Sequence, residues 1–322
     1  MEYIRNTQKF RVLEPSVITL GKFDGLHRGH ELLMENLKNA SANAGYKTIV
    51  FTFDIPPKNK VDKAEYKVLT TNSEKHVIFE ETGVDYLIEC PFTQDIMCME
   101  PELFIKWIVE ALTIKCIVVG KDFRFGHDRA GDYRTLEKFA SKYGYEVIVL
   151  EKMQEDGRDI SSTYVREEIA KGNIPKANHL LGYEYFVKSK VVHGKRIGRT
   201  IGIPTINMIL PAEKLLPPNG VYVTKVFVGE NWYMGVSNVG CKPTIAGDNP
   251  IGVETYIIDF CQDVYGKEVT VKFLEFLRPE KKFDSIEDLK TQMKRYLYRS
   301  NRIPMQVLGW KSPLQKRLEL EA

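Results

Sequence analysis

From Ser16 to about Leu181, short unbroken apolar runs alternate with segments whose apolar residues return every three to four positions. The runs "SVITL", "YKTIVFTF", "DYLIEC", "KCIVVG" and "YEVIVL" are rich in β-branched residues and read as buried strands. Helical spacing falls at about 30–43, 73–82, 101–112, 132–143 and 162–172; in the first of these, Leu33, Leu37, Ala40 and Ala44 share one face. Strand and helix in alternation predict a parallel sheet covered on both faces, with ligands at the carboxyl ends of its strands.

After "LLGYEYF" the helical spacing stops. "YFVKSKVVHG", "GVYVTKVFVGENWYMGVSNVG", "GVETYIIDF" and "KEVTVKFLEFL" read as strands divided by Gly, Asn, Pro and Asp turns, with "GENW" as a hairpin connection. This half predicts an antiparallel barrel of about six strands followed by an amphipathic helix near 285–299. The change of pattern places the boundary near Gly182, giving domains 1–182 and 183–322. No repeat or low-complexity linker separates them.

Composition narrows the class. In 322 residues, 43% hydrophobic and 28% charged, there is enough apolar material for two ordinary cores. The 46 basic and 43 acidic side chains leave a net charge of +3, which argues against a nucleic-acid coat. Five scattered cysteines (Cys90, Cys98, Cys116, Cys241, Cys261) without CxxC spacing argue against a zinc site or disulfide framework and favour a reducing compartment. No run approaches the roughly 18 apolar residues of a membrane span, and "MEYIRNTQKF" lacks the apolar core of a signal peptide. The expectation is a cytoplasmic protein with small-molecule partners, without nucleic acid or membrane; nothing in the pattern speaks to self-association.

Chemistry concentrates first in "VITLGKFDGLHRGHELL". Gly21, Gly25 and Gly29 lie where a strand becomes a helix, where backbone can approach an anion and the helix start offers its N–H groups. The pattern is neither G-x-G-x-x-G nor a P-loop. His27 and His30 can point the same way from one helix turn and donate to phosphate oxygens. Two later loops suit the same ligand. "GKDFRFGHDRAGD" groups Asp122, Phe123, Arg124 and a helix cap at Asp132; "ISSTYVR" offers Ser161, Ser162 and Thr163 at a helix start, one of them a cap, with Arg166 a turn later.

In this order and spacing, "GKFDGLHRGH", "GKDFRFG" and "ISSTYVR" resemble the adenylyltransferase half of bacterial bifunctional riboflavin kinase/FAD synthetases, which are HxGH nucleotidyltransferases with a Rossmann-like sheet. The resemblance implies that Gly21, Phe23, Asp24, Gly25 and Gly29 form the nucleotide loop and that His27 and His30 contact the ATP phosphates. It implies that Ser161, Ser162, Thr163 and catalytic Arg166 close on the triphosphate, with Asp122, Phe123 and Arg124 at the nucleotide and flavin edge. One segment departs: members show a stretch resembling F-x-P-H-P where this chain has "FTFDIPPKN", with Pro56 at or beside the expected histidine.

In the second half, "HGKRIGRTIGIPTINM" places Thr205 and Asn207 two apart on an extended segment, with their oxygens on one side; such neutral oxygens suit Mg2+ that already carries nucleotide phosphates. A turn after Pro204 is the plain alternative. This segment, with "LPPNGVYV", "GVSNVGCKPTI", "VETYIIDF" and "VKFLEFLRPEKKFDS", resembles the riboflavin kinase barrel of the same family. The resemblance implies that Gly198, Arg199, Gly202 and Pro204 border Mg-ATP, that Thr205 and Asn207 hold the metal, that Glu254 is the base, and that Arg278 positions ligand or loop. Ser189 stands where members often have glycine, and the last helix lacks an acidic residue expected there. The expected activity is phosphorylation of riboflavin to FMN and adenylylation of FMN to FAD, with ATP as co-substrate and Mg2+ in both steps. Two alternatives stay open: a riboflavin kinase with a weak or inactive front half, and a non-catalytic flavin-binding regulator.

Overall fold

The computed structural model describes residues 1–54, 67–194, 203–241 and 251–281. The chain divides into two compact units, Met1–Val165 and Arg166–Ala322.

The first unit is a six-stranded parallel sheet. In chain order its strands are β1 (Glu2–Arg5), β2 (Ser16–Leu20), β3 (Lys47–Phe53), β4 (Tyr86–Cys90), β5 (Ile114–Gly120) and, after the short pair β6 (Arg124–Phe125) and β7 (Gly131–Asp132), β8 (Glu146–Leu150). The spatial order is β1-β4-β3-β2-β5-β8, every pairing parallel. All five expected strands are present; β1 is an addition, a short edge strand registered on β4. The connecting helices are α1 (Arg28–Ala44), α2 (Asn72–Thr82), α3 (Gln94–Met97), α4 (Pro101–Leu112) and α5 (Tyr133–Tyr143). A hairpin of β9 (Gln154–Glu155) and β10 (Arg158–Asp159) leads into α6 (Ser162–Ala170), which runs across the division between the units.

Alternation decides what each face buries. Ile18, Leu20, Ile49, Phe51, Ile88, Ile117 and Val119 pack against Phe104, Ile105, Ile108 and Leu112 of α4 and Leu136 of α5. Residues between them point to the other face, where α1 lies on β2, β3 and β5 and buries Leu33, Met34 and Leu37. Asp132 caps α5 in a reciprocal box with Thr135, as its position in the sequence predicts. Because β3 and β5 flank β2 on opposite sides, the sheet reverses its winding at β2/β5. The loops leaving those two strands open a crevice there, the ordinary ligand position of such sheets.

In the second unit the end of α6 is followed by α7 (Ile174–Leu181), closed by Gly182 in the left-handed region at φ 83°. A closed antiparallel barrel follows: β11 (Phe186–Val192), β12 (Thr205–Ile209), β13 (Gly220–Val228), β14 (Asn231–Cys241), β15 (Ile251–Ile257) and β16 (Glu268–Arg278), ordered β11-β12-β15-β14-β13-β16. The "GENW" turn joins β13 to β14, with Gly229 at φ 63°. The side chain of Asn178 ties α7 to the barrel, donating to the Phe273 carbonyl (2.9 Å) and accepting the Tyr185 N–H (2.8 Å). Tyr222, Thr224, Ser237, Thr255 and Phe273 are buried on one face of the wall; Glu254, between Val253 and Thr255, takes the other. The expected helix near 285–299 lies outside the described residues. Among the described residues no helix is long and apolar enough to cross a membrane, and Cys90, Cys98, Cys116 and Cys261 are free thiols.

Candidate active sites

The loop after β2 is held by polar contacts that its glycines make possible. Gly25 sits at φ 84°, and Phe23 and Leu26 also take positive φ, so the backbone folds tightly over the strand end. Asp24 Oδ1 accepts the N–H groups of Leu69 (2.8 Å) and Thr70 (3.1 Å), while the Gly25 N–H donates to Thr70 Oγ1 (3.1 Å). No side chain caps α1. His27 is its N-cap residue, and the imidazoles of His27 and His30 stack with centroids 3.8 Å apart and 21° between planes. Phe23 meets His30 edge-on at 5.2 Å. A Cβ on Gly29 would come within 3.2 Å of His27 Nδ1, so this glycine makes room for the ring itself.

Burial pushes His27 down to about 4, partly offset by the Asp122 carboxylate; burial and then His27 hold His30 well below the ordinary histidine range. The Nδ1 atoms of both rings are buried and have no hydrogen-bond partner among the described residues. Such atoms are costly unless something satisfies them.

The two later motifs come to this loop. Ser162 Oγ donates to the Asp24 carbonyl (2.8 Å), and the Ile160 carbonyl lies 3.7 Å from the Cβ position of Gly29. Ser161 caps α6, its Oγ accepting the Tyr164 N–H at 3.2 Å; Thr163 is exposed, and Arg166 lies a turn farther along the helix. Past β5, Asp122 pairs with Lys152 (3.1 Å), which also reaches Asp159 (3.1 Å). Phe123 stacks on Phe125 with centroids 5.4 Å apart, and exposed Arg124 donates to the Phe123 carbonyl (2.9 Å). Arg28 pairs with Glu155 at 3.0 Å, fastening the β9–β10 hairpin to the start of α1.

In the barrel, register builds a polar row across three strands. Glu254 of β15 stands opposite Asn207 of β12 on one side and Asn238 of β14 on the other. Thr205 Oγ1 donates to Glu254 Oε1 at 2.6 Å. Asn207 is buried beside Gly194, where a Cβ would overlap its amide. Next to Thr205 opens a cavity of about 250 Å³ lined by Pro204, Phe260, Val264 and Tyr265, among others. Tyr265 in turn packs on His193 with ring centroids 3.9 Å apart.

Two family models match in the same order as these sites: a FAD synthetase model over residues 9–164 and a riboflavin kinase model over residues 181–303. Bifunctional riboflavin kinase/FMN adenylyltransferases align along most of the chain. The protein of that name from Listeria monocytogenes is 34% identical over 87% of this chain and 89% of its own. The one from Escherichia coli K12 is 36% identical over 88% and 90%. The chain belongs to the bifunctional riboflavin kinase/FMN adenylyltransferase family. A solved structure described as a macrolide-efflux protein from Streptococcus pneumoniae shares the fold as well, with a TM-score of 0.84 and 30% identity over 94% of this chain and 99% of that one.

Within this bifunctional framework, Gly198, Arg199 and Gly202 of the kinase motif lie outside the described residues, as does the segment around Pro56. Arg278 Nη1 donates to the Pro279 carbonyl (2.7 Å). The Ser189 hydroxyl, where relatives often have glycine, donates to the Ile209 carbonyl (2.9 Å), so its contact is with the neighbouring strand. Asn238, Lys152 and Arg28 join these sites only in the fold. Asn238 depends on cross-strand register, which spacing along one strand does not carry. Lys152 and Arg28 are ordinary charges until the fold brings Asp122 and Glu155 to them.

Proposed function

We propose that the barrel unit transfers the γ-phosphoryl group of ATP to riboflavin and that the sheet unit joins the resulting FMN to the adenylyl group of ATP, releasing pyrophosphate, with the functional boundary near Gly182. The observation that carries the second assignment is the stacked His27–His30 pair at an uncapped helix start, with both Nδ1 atoms buried and unpartnered. A polyphosphate supplies the acceptors those rings lack, and its charge favours the protonated imidazole that burial opposes. An FMN phosphate oxygen attacks the α-phosphorus, the bond to the β-phosphate oxygen breaks, and pyrophosphate leaves with its electron pair. The protein aligns the two phosphates and offsets charge on the pentavalent phosphorus through His27, His30 and Arg166. Gly21, Phe23, Asp24, Gly25 and Gly29 shape the loop, Ser161, Ser162 and Thr163 close it, and Asp122, Phe123 and Arg124 border the base and flavin.

In the barrel, Glu254 takes the proton of the ribityl 5′-hydroxyl as its oxygen attacks the γ-phosphorus, and Thr205 orients the carboxylate from 2.6 Å. Thr205 and Asn207 fit Mg2+ that arrives with nucleotide. Their oxygens are hard and neutral, and no group of three or more His, Cys, Asp or Glu side chains among the described residues forms a full cage for an ion. When bound, Mg2+ offsets negative charge on the transferring phosphate in each reaction. The cavity beside Thr205 is of a size and lining for the nucleotide base. Riboflavin and ATP meet in the cytoplasm, where free thiols are expected to persist.

The test is a time course: purified chain, riboflavin and Mg-ATP, with flavins separated by chromatography. FMN followed by FAD is expected. FMN alone would leave a riboflavin kinase with an inactive front half, and neither product would overturn both assignments.

A further inference from the structure

Behind the glycine loop lies a charge cluster centred on a buried amine, that of Lys75, to which the reactions above give no role. Lys75, in the first turn of α2, is 3% exposed, and its Nζ donates to the Phe53 carbonyl at the end of β3 (3.4 Å). Among the described residues of the sheet unit it is the one buried basic amine. Three carboxylates act on its charge: Glu89, Asp24 and Asp54. Each also holds a part of the sheet's carboxyl edge. Asp24 takes the N–H groups of Leu69 and Thr70, Asp54 takes that of Phe92 (2.8 Å), and Glu89, 4% exposed at the end of β4, takes the Asn72 amide (3.1 Å).

The amine rides on a fixed element. Thr71 and Glu74 cap α2 reciprocally, and Phe79, one turn beyond Lys75, meets Phe23 edge-on at 5.6 Å. Phe23 in turn abuts His30. Burial lowers the Lys75 pKa and raises that of Glu89, so desolvation opposes the charges their mutual attraction favours. Buried charges are poorly screened by salt, so their sum is felt in the neighbouring crevice. Glu89 also accepts from Tyr3 and feels Arg5, whereas Lys75 acts on Glu89, Asp54 and Asp24 alike; with Lys75 absent, this edge of the sheet would be more negative near a crevice that has to admit a triphosphate and a phosphate monoester.

We infer that Lys75 is a charge-balancing residue of the adenylyltransferase site, offsetting the charge of Asp24, Asp54 and Glu89 behind the glycine loop so that phosphates can enter. This rests on the assignment of the sheet unit as an FMN adenylyltransferase.

The experiment compares wild type, K75M, E89Q and K75M/E89Q as full chains, measuring kcat and KM for ATP in FAD formation from FMN. Riboflavin phosphorylation and thermal melting are followed in the same samples. K75M is expected to raise KM for ATP about tenfold, the effect of one poorly screened charge, with riboflavin phosphorylation unchanged. Adding E89Q is expected to restore most of the loss, because it removes one of the unbalanced carboxylates; a purely structural role for Lys75 gives no such rescue. An unchanged KM in folded K75M, or a double variant no better than K75M, overturns the inference. Should K75M fail to fold, E89Q alone decides: charge balance lowers its KM for ATP, and an unchanged or raised KM overturns the inference. A wild-type chain that makes no FAD instead overturns the adenylyltransferase assignment, and the inference with it.

Discussion

His27 and His30 lie ring on ring, 3.8 Å between centroids, at the first turn of a helix that no side chain caps. Two imidazolium ions would repel strongly at that separation, and burial disfavours each charge on its own. The pair is therefore neutral at pH 7, and an arriving polyphosphate supplies both the hydrogen-bond acceptors and the reason to hold a proton. Because Gly29 lies against the His27 ring and Phe23 against that of His30, the pair is shaped before ligand arrives.

His30→Ala should reduce FAD formation from FMN by about a hundredfold or more, the usual loss when a preorganised donor to a transition-state charge is removed. Riboflavin phosphorylation, assayed on the same preparation, should stay within about twofold of wild type. Loss of both activities from a folded protein would contradict two independent sites.

Gly29→Ala separates stability from function. Alanine in a helix is favoured over glycine by about 1 kcal/mol, and Gly29 does not take a positive φ, so the melting temperature should hold or rise. Its Cβ, however, would sit 3.2 Å from His27 Nδ1 and 3.3 Å from Cε1, and the ring has to shift by a few tenths of an ångström. A displaced ring in an alignment-driven reaction should lower adenylylation kcat/KM about tenfold. Melting curves beside steady-state kinetics check both halves.

The sequence was most legible where residue type alone carries the physics. Apolar β-branched runs marked the strands β2, β3, β4, β5 and β8, and glycines beside paired histidines marked the loop where the two imidazoles stack. The strand β1 was missed because "EYIR" is four residues long and owes its pairing to β4. The helix α7 was missed because Pro175 reads as a break, although a first-turn proline is compatible with a helix. Three adjacent hydroxyls at 161–163 look alike in sequence. In the fold one caps a helix, one ties down the Asp24 carbonyl and one is exposed, and only the path of the chain tells them apart. The Asn207–Glu254–Asn238 row depends on register between strands far apart in sequence, and Lys75 sits in a helix with only a weak apolar pattern.

On the barrel, Glu254→Gln should lower FMN formation by about a hundredfold or more if the carboxylate is the general base, while FAD formation from supplied FMN continues. Thr205→Val removes the hydroxyl that donates to Glu254 and should cost about 1 kcal/mol of stability, together with a loss of phosphorylation. Chromatography of flavins with riboflavin or FMN as starting material resolves the two steps. If E254Q phosphorylates riboflavin normally, the polar row is structural.

The histidine pair also fixes a pH dependence. His27 has a folded-state pKa of about 4 against an ordinary value of 6.5. Above 6.5 neither state binds the proton and the neutral, buried ring contributes its full stability. Between 6.5 and 4 the unfolded chain takes up a proton that the folded chain does not, so stability falls with falling pH, by at most about 3 kcal/mol for this group. His30 is shifted in the same direction. His27→Asn should flatten the dependence of denaturant midpoint on pH in this window. Phosphate reverses the sign of the local field, raises both pKa values and should draw protons into the protein on ATP binding. Calorimetric titration with Mg-ATP at pH 6, in two buffers of different ionisation enthalpy, measures that uptake, and the difference between wild type and His27→Asn isolates the sheet unit from ATP bound at the barrel. Equal uptake in the two proteins would mean that His27 does not face the phosphates.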